Sequence, residues 1–122
     1  MMDIVALAAL CKLAIDGGNK ILEEYKKRKL SEAEKELLIT AAKDGEFLIM
    51  HVDGPPDWIR VGKKDFGFVP PDGDPAIAAK YQDAFKNLCK RAYIEYDTGI
   101  LFRLTYAGFE KARELAKKSK KK

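Results

Sequence analysis

Leu88-Cys89-Lys90-Arg91-Ala92-Tyr93-Ile94-Glu95-Tyr96-Asp97-Thr98-Gly99-Ile100-Leu101-Phe102-Arg103-Leu104-Thr105-Tyr106-Ala107-Gly108 carries the clearest structural signal in the chain. Its first residues close an apolar stripe. Ala78, Tyr81, Phe85, Leu88 and Ala92 recur at steps of three and four, the spacing that gathers side chains on one face of an α-helix. Tyr93 to Tyr96 is richer in aromatic and β-branched residues and reads as a strand. Asp97-Thr98-Gly99 has tight-turn chemistry, because glycine takes positive φ without steric cost. Ile100 to Leu104 is the partner strand, and the Thr105 hydroxyl caps a last helix whose buried side holds Phe109, Ala112, Leu115 and Ala116.

Upstream, Asp74-Pro75 is a helix start, with an N-cap followed by a residue whose fixed φ suits the first helical position. The exposed face of this helix carries Lys80, Gln82, Asp83, Lys86, Asn87, Lys90 and Arg91. Gly62 to Gly73 reads as irregular, with Phe66, Phe68 and Val69 folded back on the body. Phe47 to Val52 and Trp58 to Val61 read as a hairpin around Asp53-Gly54-Pro55-Pro56-Asp57, since two prolines cannot continue a hydrogen-bonded ladder. Ser31-Glu32-Ala33-Glu34 is a capping box. The helix it opens buries Ala33, Leu37, Leu38, Ala41 and Ala42 and ends at Asp44-Gly45.

At the N-terminus, Ile4, Leu7, Cys11, Ala14, Gly18, Ile21 and Tyr25 form a heptad-like seam behind an Asp3 N-cap. Asp16-Gly17-Gly18-Asn19 interrupts it, giving one long helix with a weak middle or two shorter ones. Val5, Leu10, Leu13, Ile15 and Leu22 add a second apolar row. So much apolar perimeter needs a partner. Either the segment packs within its own domain, or Leu7, Cys11, Ala14 and Ile21 form a homodimer interface. The expected organisation is an N-terminal helical segment over residues 1–30, a domain over 31–118 and a basic tail over 119–122.

With 122 residues there is room for one compact domain, and 47% hydrophobic with 34% charged residues excludes wholesale disorder and an all-membrane class. The apolar stretch from Ile4 to Ile15 contains Lys12 and is too short for a membrane span. Cys11 and Cys89 belong to no Cys-x-x-Cys pair and read as buried thiols suited to a reducing, cytoplasmic setting. The net charge of +4 is unevenly spread: residues 1–74 hold 11 basic and 14 acidic side chains, residues 75–122 hold 12 and 5. Five of those 12 are Lys117, Lys118, Lys120, Lys121 and Lys122, a run that raises nonspecific affinity for polyanions.

Catalytic motifs are wanting. His51 is the single histidine, which rules out multi-histidine metal sites. His51 with Asp53 and Asp57 is accounted for by a strand and a surface loop, and Asp72-Gly73-Asp74 by a turn and a cap, without the remaining ligands of a calcium loop. Gly62-Lys63-Lys64 lacks the glycine spacing of a phosphate loop. Trp58, Tyr93 and Tyr96 read as core aromatics. No catalytic residue, metal site or cofactor is expected, and the chain is not expected to be an enzyme.

The run from Leu88 to Gly108 resembles the second half of a winged-helix domain, in which a helix enters a strand, crosses a short wing and returns to a Leu-Thr-x-x-Gly closure, here Leu104-Thr105-Tyr106-Ala107-Gly108. Residues 75–118 carry the resemblance, and 31–50 fit by element order. It implies an α+β, winged-helix-like domain with an extra N-terminal helix and an additional β-hairpin. Residues 45–74 depart from the pattern: either the middle helix of the helix-turn-helix is lost, or Gly62 to Val69 holds a minimal one. The resemblance implies a recognition helix at 75–91, with Lys80, Gln82, Lys86, Asn87, Lys90 and Arg91 facing nucleic acid and Gln82 and Asn87 best suited to base edges. Asp97-Thr98-Gly99 makes an acidic wing where a minor-groove wing would be basic. Two functions follow as expectations. One is a regulatory or accessory protein, a homodimer binding double-stranded DNA. The other is a winged-helix scaffold that binds a protein partner and has no nucleic-acid role.

Overall fold

The alternation along residues 46–50 governs the architecture: Phe47 and Ile49 are buried, while Glu46, Leu48 and Met50 point to the other face of their strand. The computed structural model describes residues 3–17, 29–53 and 56–120. In chain order its elements are helix α1 (Ile4–Gly17), helix α2 (Glu32–Asp44), strands β1 (Glu46–Met50), β2 (Trp58–Val61) and β3 (Lys64–Phe66), helix α3 (Pro75–Lys90), strands β4 (Ile94–Thr98) and β5 (Leu101–Leu104), and helix α4 (Tyr106–Lys120). The strands form one antiparallel sheet in the order β3-β2-β1-β5-β4. The fold is α+β.

The inner face of the sheet contributes Phe47, Ile49, Ile59, Val61, Phe66, Ile94, Phe102 and Leu104 to a single core. The four helices of the described residues close it, with Leu7 and Cys11 from α1, Leu37 and Leu38 from α2, Phe85 and Leu88 from α3, and Ala112 from α4. At its centre the Phe85 ring meets Phe47 and Phe102 edge-on, each with centroids 5.3 Å apart. Such pairs add about 0.5–1.5 kcal/mol beyond burial.

The local signals act as their chemistry requires. Asp3 Oδ1 accepts from the amides of Val5 and Ala6. Ser31 and Glu34 complete the capping box, and Gly45 ends α2 at φ 102°. Asp74 caps α3 through the Ala76 amide. Thr105 Oγ1 donates to the Ala92 carbonyl at 2.7 Å and accepts from the Gly108 amide at 3.1 Å. A Cβ on Gly108 would stand 2.3 Å from the Tyr93 carbonyl oxygen, so only glycine lets α4 approach the chain before β4 this closely.

The structure departs from the sequence pattern at several places. The segment from Gly62 to Gly73 is not wholly irregular, and Gly62 to Val69 holds a turn and strand β3 rather than a short helix. Phe66 pairs with Ile59 on the core face, while Asp65 pairs with Arg60 on the other. Phe66 and Val69 are buried as expected, whereas Phe68 is 47% exposed. Helix α3 stops without a glycine: Ala92, counted above in the helical stripe, takes φ 62°. The basic C-terminus is helical as far as Lys120. Leu7, Cys11 and Ala14 sit at 5% exposure or less, so these three side chains of α1 pack within their own chain. Ile21, and the question of one helix or two over residues 3–29, lie outside the described residues beyond Gly17.

Candidate interaction surface

Helix α3 buries Ala78, Ala84, Phe85, Leu88 and Cys89, and this stripe decides where its polar residues go. Lys80 and Lys86 face solvent, Lys80 Nζ lying 5.4 Å from the centroid of the Tyr81 ring. Exposed Asp83 stands between them. Gln82 is half-buried, and its Nε2 donates to the Asp57 carbonyl at 3.0 Å. Asn87 Nδ2 donates to Glu34 Oε1 at 3.3 Å. Lys90 is half-buried. Arg91 is 4% exposed, with Nε 3.6 Å from Glu34 Oε2 and Nη2 donating to the Lys29 carbonyl.

The expected nucleic-acid set therefore does not share one open face. The cause is Glu34. A buried carboxylate needs charge and hydrogen bonds around it, and Ser31, Asn87 and Arg91 supply them. The capping box placed Glu34 in the sequence, but nothing local tells that its carboxylate is covered by the end of α3. The wing is also internally paired. Arg103 Nε donates to Glu95 Oε1 at 2.6 Å, and its Nη1 lies 4.0 Å from Asp97 Oδ2.

Reactive side chains are enclosed or held. Cys11 and Cys89 are buried free thiols in contact with each other, and burial pushes the Cys89 thiol well up from its ordinary range, away from nucleophilic use. His51 Nδ1 lies 2.5 Å from Oδ1 of the buried Asp57, joining the end of β1 to the start of β2. Among the described residues no group of three or more His, Cys, Asp or Glu is placed to hold a metal ion, and no helix is long and apolar enough to cross a membrane. One open groove, of about 700 Å³, runs beside Tyr93 along charged residues of α4. Another, about 440 Å³, lies between α1 and β4.

The outer face of the sheet is different in kind. Its register places Leu48 beside Leu101 on β5 and beside Arg60 on β2, and Met50 beside Trp58. Leu48, Met50 and Leu101 are partly exposed and belong neither to the core nor to the side chains packed on it. The Phe68 ring covers Trp58 edge-on at 5.0 Å, and Val52, two residues beyond Met50, is 51% exposed. Ile100, whose carbonyl oxygen accepts from the Ile49 amide, is exposed in the β4–β5 turn. Charged pairs border this apolar band. On one side Asp65 accepts from Arg60 Nε at 2.7 Å and from Trp58 Nε1 at 2.9 Å. The Arg60 hydrogen bond holds the Asp65 carboxyl below the usual carboxylate range. On the other side stand Glu46, Arg103, Glu95 and Asp97.

The chain matches no family model, no curated protein and no solved structure.

Proposed function

We propose that this chain is a protein–protein interaction module on winged-helix-like connectivity, docking through the outer face of its sheet. The observation that carries this is the apolar band from Phe68, which covers the buried Trp58, through the partly exposed Met50 and Leu48 to Leu101, with ion pairs at its borders. An apolar centre with a polar rim is the anatomy of an interface, and single chains seldom leave such a band open without use. The connectivity is supported by element order: α2 and β1 come first, then α3 and the β4–β5 hairpin, with β1 paired to the returning strand β5. In this reading the β2–β3 hairpin stands, in chain order, where that pattern has its middle helix.

A second reading, duplex DNA bound by α3 in a regulatory role, draws support from solvent-facing Lys80 and Lys86 and from the basic end of α4. It has lost Gln82, Asn87 and Arg91, whose polar groups serve internal contacts. A photo-reactive residue placed at Leu48 in one variant and at exposed Ala79 of α3 in another separates the two readings in the living host. The docking reading expects protein adducts from position 48. Nucleic-acid adducts from position 79, with none to protein from position 48, would replace it with the DNA reading.

A further inference from the structure

We infer that the chain docked on the outer sheet face is a second copy of this one, related by a two-fold axis that runs along the strands between β1 and β5. The inference rests on the docking reading and names its occupant. Such an axis lays β1 of one protomer over β5 of its partner, and β2 over β4. Because Leu48 and Leu101 share one register row, each then meets the other across the interface. Glu46 and Arg103 share the next row, so Glu46 of each protomer faces the arginine that its partner already pairs with Glu95, and adds a second carboxylate to it. In the row on the other side of Leu48, Met50 comes to lie over the β4–β5 turn that holds exposed Ile100.

The borders match as well. Overlaying β2 on β4 brings Arg60 toward the Asp97–Thr98 end of β4, and brings the Gly62-Lys63 turn toward Glu95. Two other placements are worse. An axis through β1 itself puts Glu46 on Glu46, and one running across the strands puts the charged end of the face on Met50 and Trp58. Aligned sheets pack about 10 Å apart, with their strands within about 30° of each other. That geometry keeps the central rows in contact and lets the edges diverge. Five strands at about 4.8 Å spacing make a face about 24 Å wide, a small interface that associates reversibly.

The pairing is testable because each charged contact is made twice. Glu46→Arg leaves a chain with two arginines in the Glu46–Arg103 row, and Arg103→Glu a chain with two glutamates there. Each alone repels itself in the proposed dimer. Mixed in equal amounts, they meet with opposite charges at both contacts, although the like-charge neighbours within each chain persist. Sedimentation velocity of the full chain and its variants, with circular dichroism confirming that each is folded, is the measurement. The expected result is a concentration-dependent wild-type dimer, at least about tenfold weaker self-association for each single variant, and recovery of the dimer on mixing. A wild-type chain that stays monomeric at its highest soluble concentration overturns the inference, as does a dimer indifferent to both substitutions. Singles that dissociate but do not recover on mixing overturn the register. The docking reading is judged separately: adducts from position 48 to a different protein sustain it while this inference falls.

Discussion

Arg91 shows how one residue changes meaning with burial. In the sequence it is a cation at the end of a recognition helix, whereas in the structure it neutralises Glu34. Removing one member of a buried ion pair typically costs about 3–5 kcal/mol, because the remaining charge stays covered. Arg91→Ala is therefore expected to lower the urea midpoint sharply, while Glu34→Gln combined with Arg91→Met costs less than Arg91→Ala alone. A DNA-contacting arginine would leave the midpoint where it was. Ala92 offers the opposite sign. An L-residue in the left-handed region carries about 1–2 kcal/mol of strain that glycine does not. Ala92→Gly is expected to raise the melting temperature, after deduction of its small, half-buried methyl group. Asp65 sets a pH dependence. Its carboxyl is held down in the folded chain by the hydrogen bond from Arg60, so its contribution is complete above the unfolded carboxylate range and is lost as pH falls through the folded value. The pair is surface-placed and the effect modest. Stability measured from neutral to acid pH is expected to fall less steeply in Asp65→Asn than in the wild type.

At the scale of elements, whatever was written in local chemistry was legible. Asp3, Ser31, Asp74 and Thr105 each begin a helix where a capping side chain predicts one, and Gly45 ends one where positive φ is needed. The Tyr93–Leu104 hairpin was read to within two residues at its ends. Strand β3 was not, since three residues give too little alternation to register, and Lys64-Asp65-Phe66 becomes a strand only through Ile59 and Arg60 across the sheet. Of the site, the alternation of 46–50 was visible, but not that one face of it meets none of the described helices, because that depends on where those helices pack. The seam of α1 illustrates the same limit. Its heptad spacing specifies a buried stripe without saying what buries it, and the answer is the core around Phe85 and Ile94. Leu7, 3% exposed there, is consequently a stability residue. Leu7→Ala is expected to cost about 2–5 kcal/mol in denaturant unfolding. An assembly role for Leu7 would instead change self-association and leave the unfolding midpoint of the monomer in place.

Across the whole molecule, charge separates an affinity that any polyanion can draw on from recognition of a site. The net charge of +4 becomes −1 once Lys117, Lys118, Lys120, Lys121 and Lys122 are removed, so the last turn of α4 and the residues after it hold the entire excess. Binding that neutralises phosphates releases counterions, and log K falls with log salt by about 0.9 per duplex phosphate contacted. The full chain is expected to bind duplex DNA weakly at low salt and to lose that binding steeply as salt rises, whatever the sequence. A chain ending at Ala116 keeps Ala112 and the part of α4 that packs on the core. It is expected to stay folded and to bind no duplex at low salt. Titration of both chains against several duplexes over a salt series is the measurement. Sequence-dependent binding that survives the truncation would place recognition on Lys80 and Lys86 of α3, where the docking reading expects none.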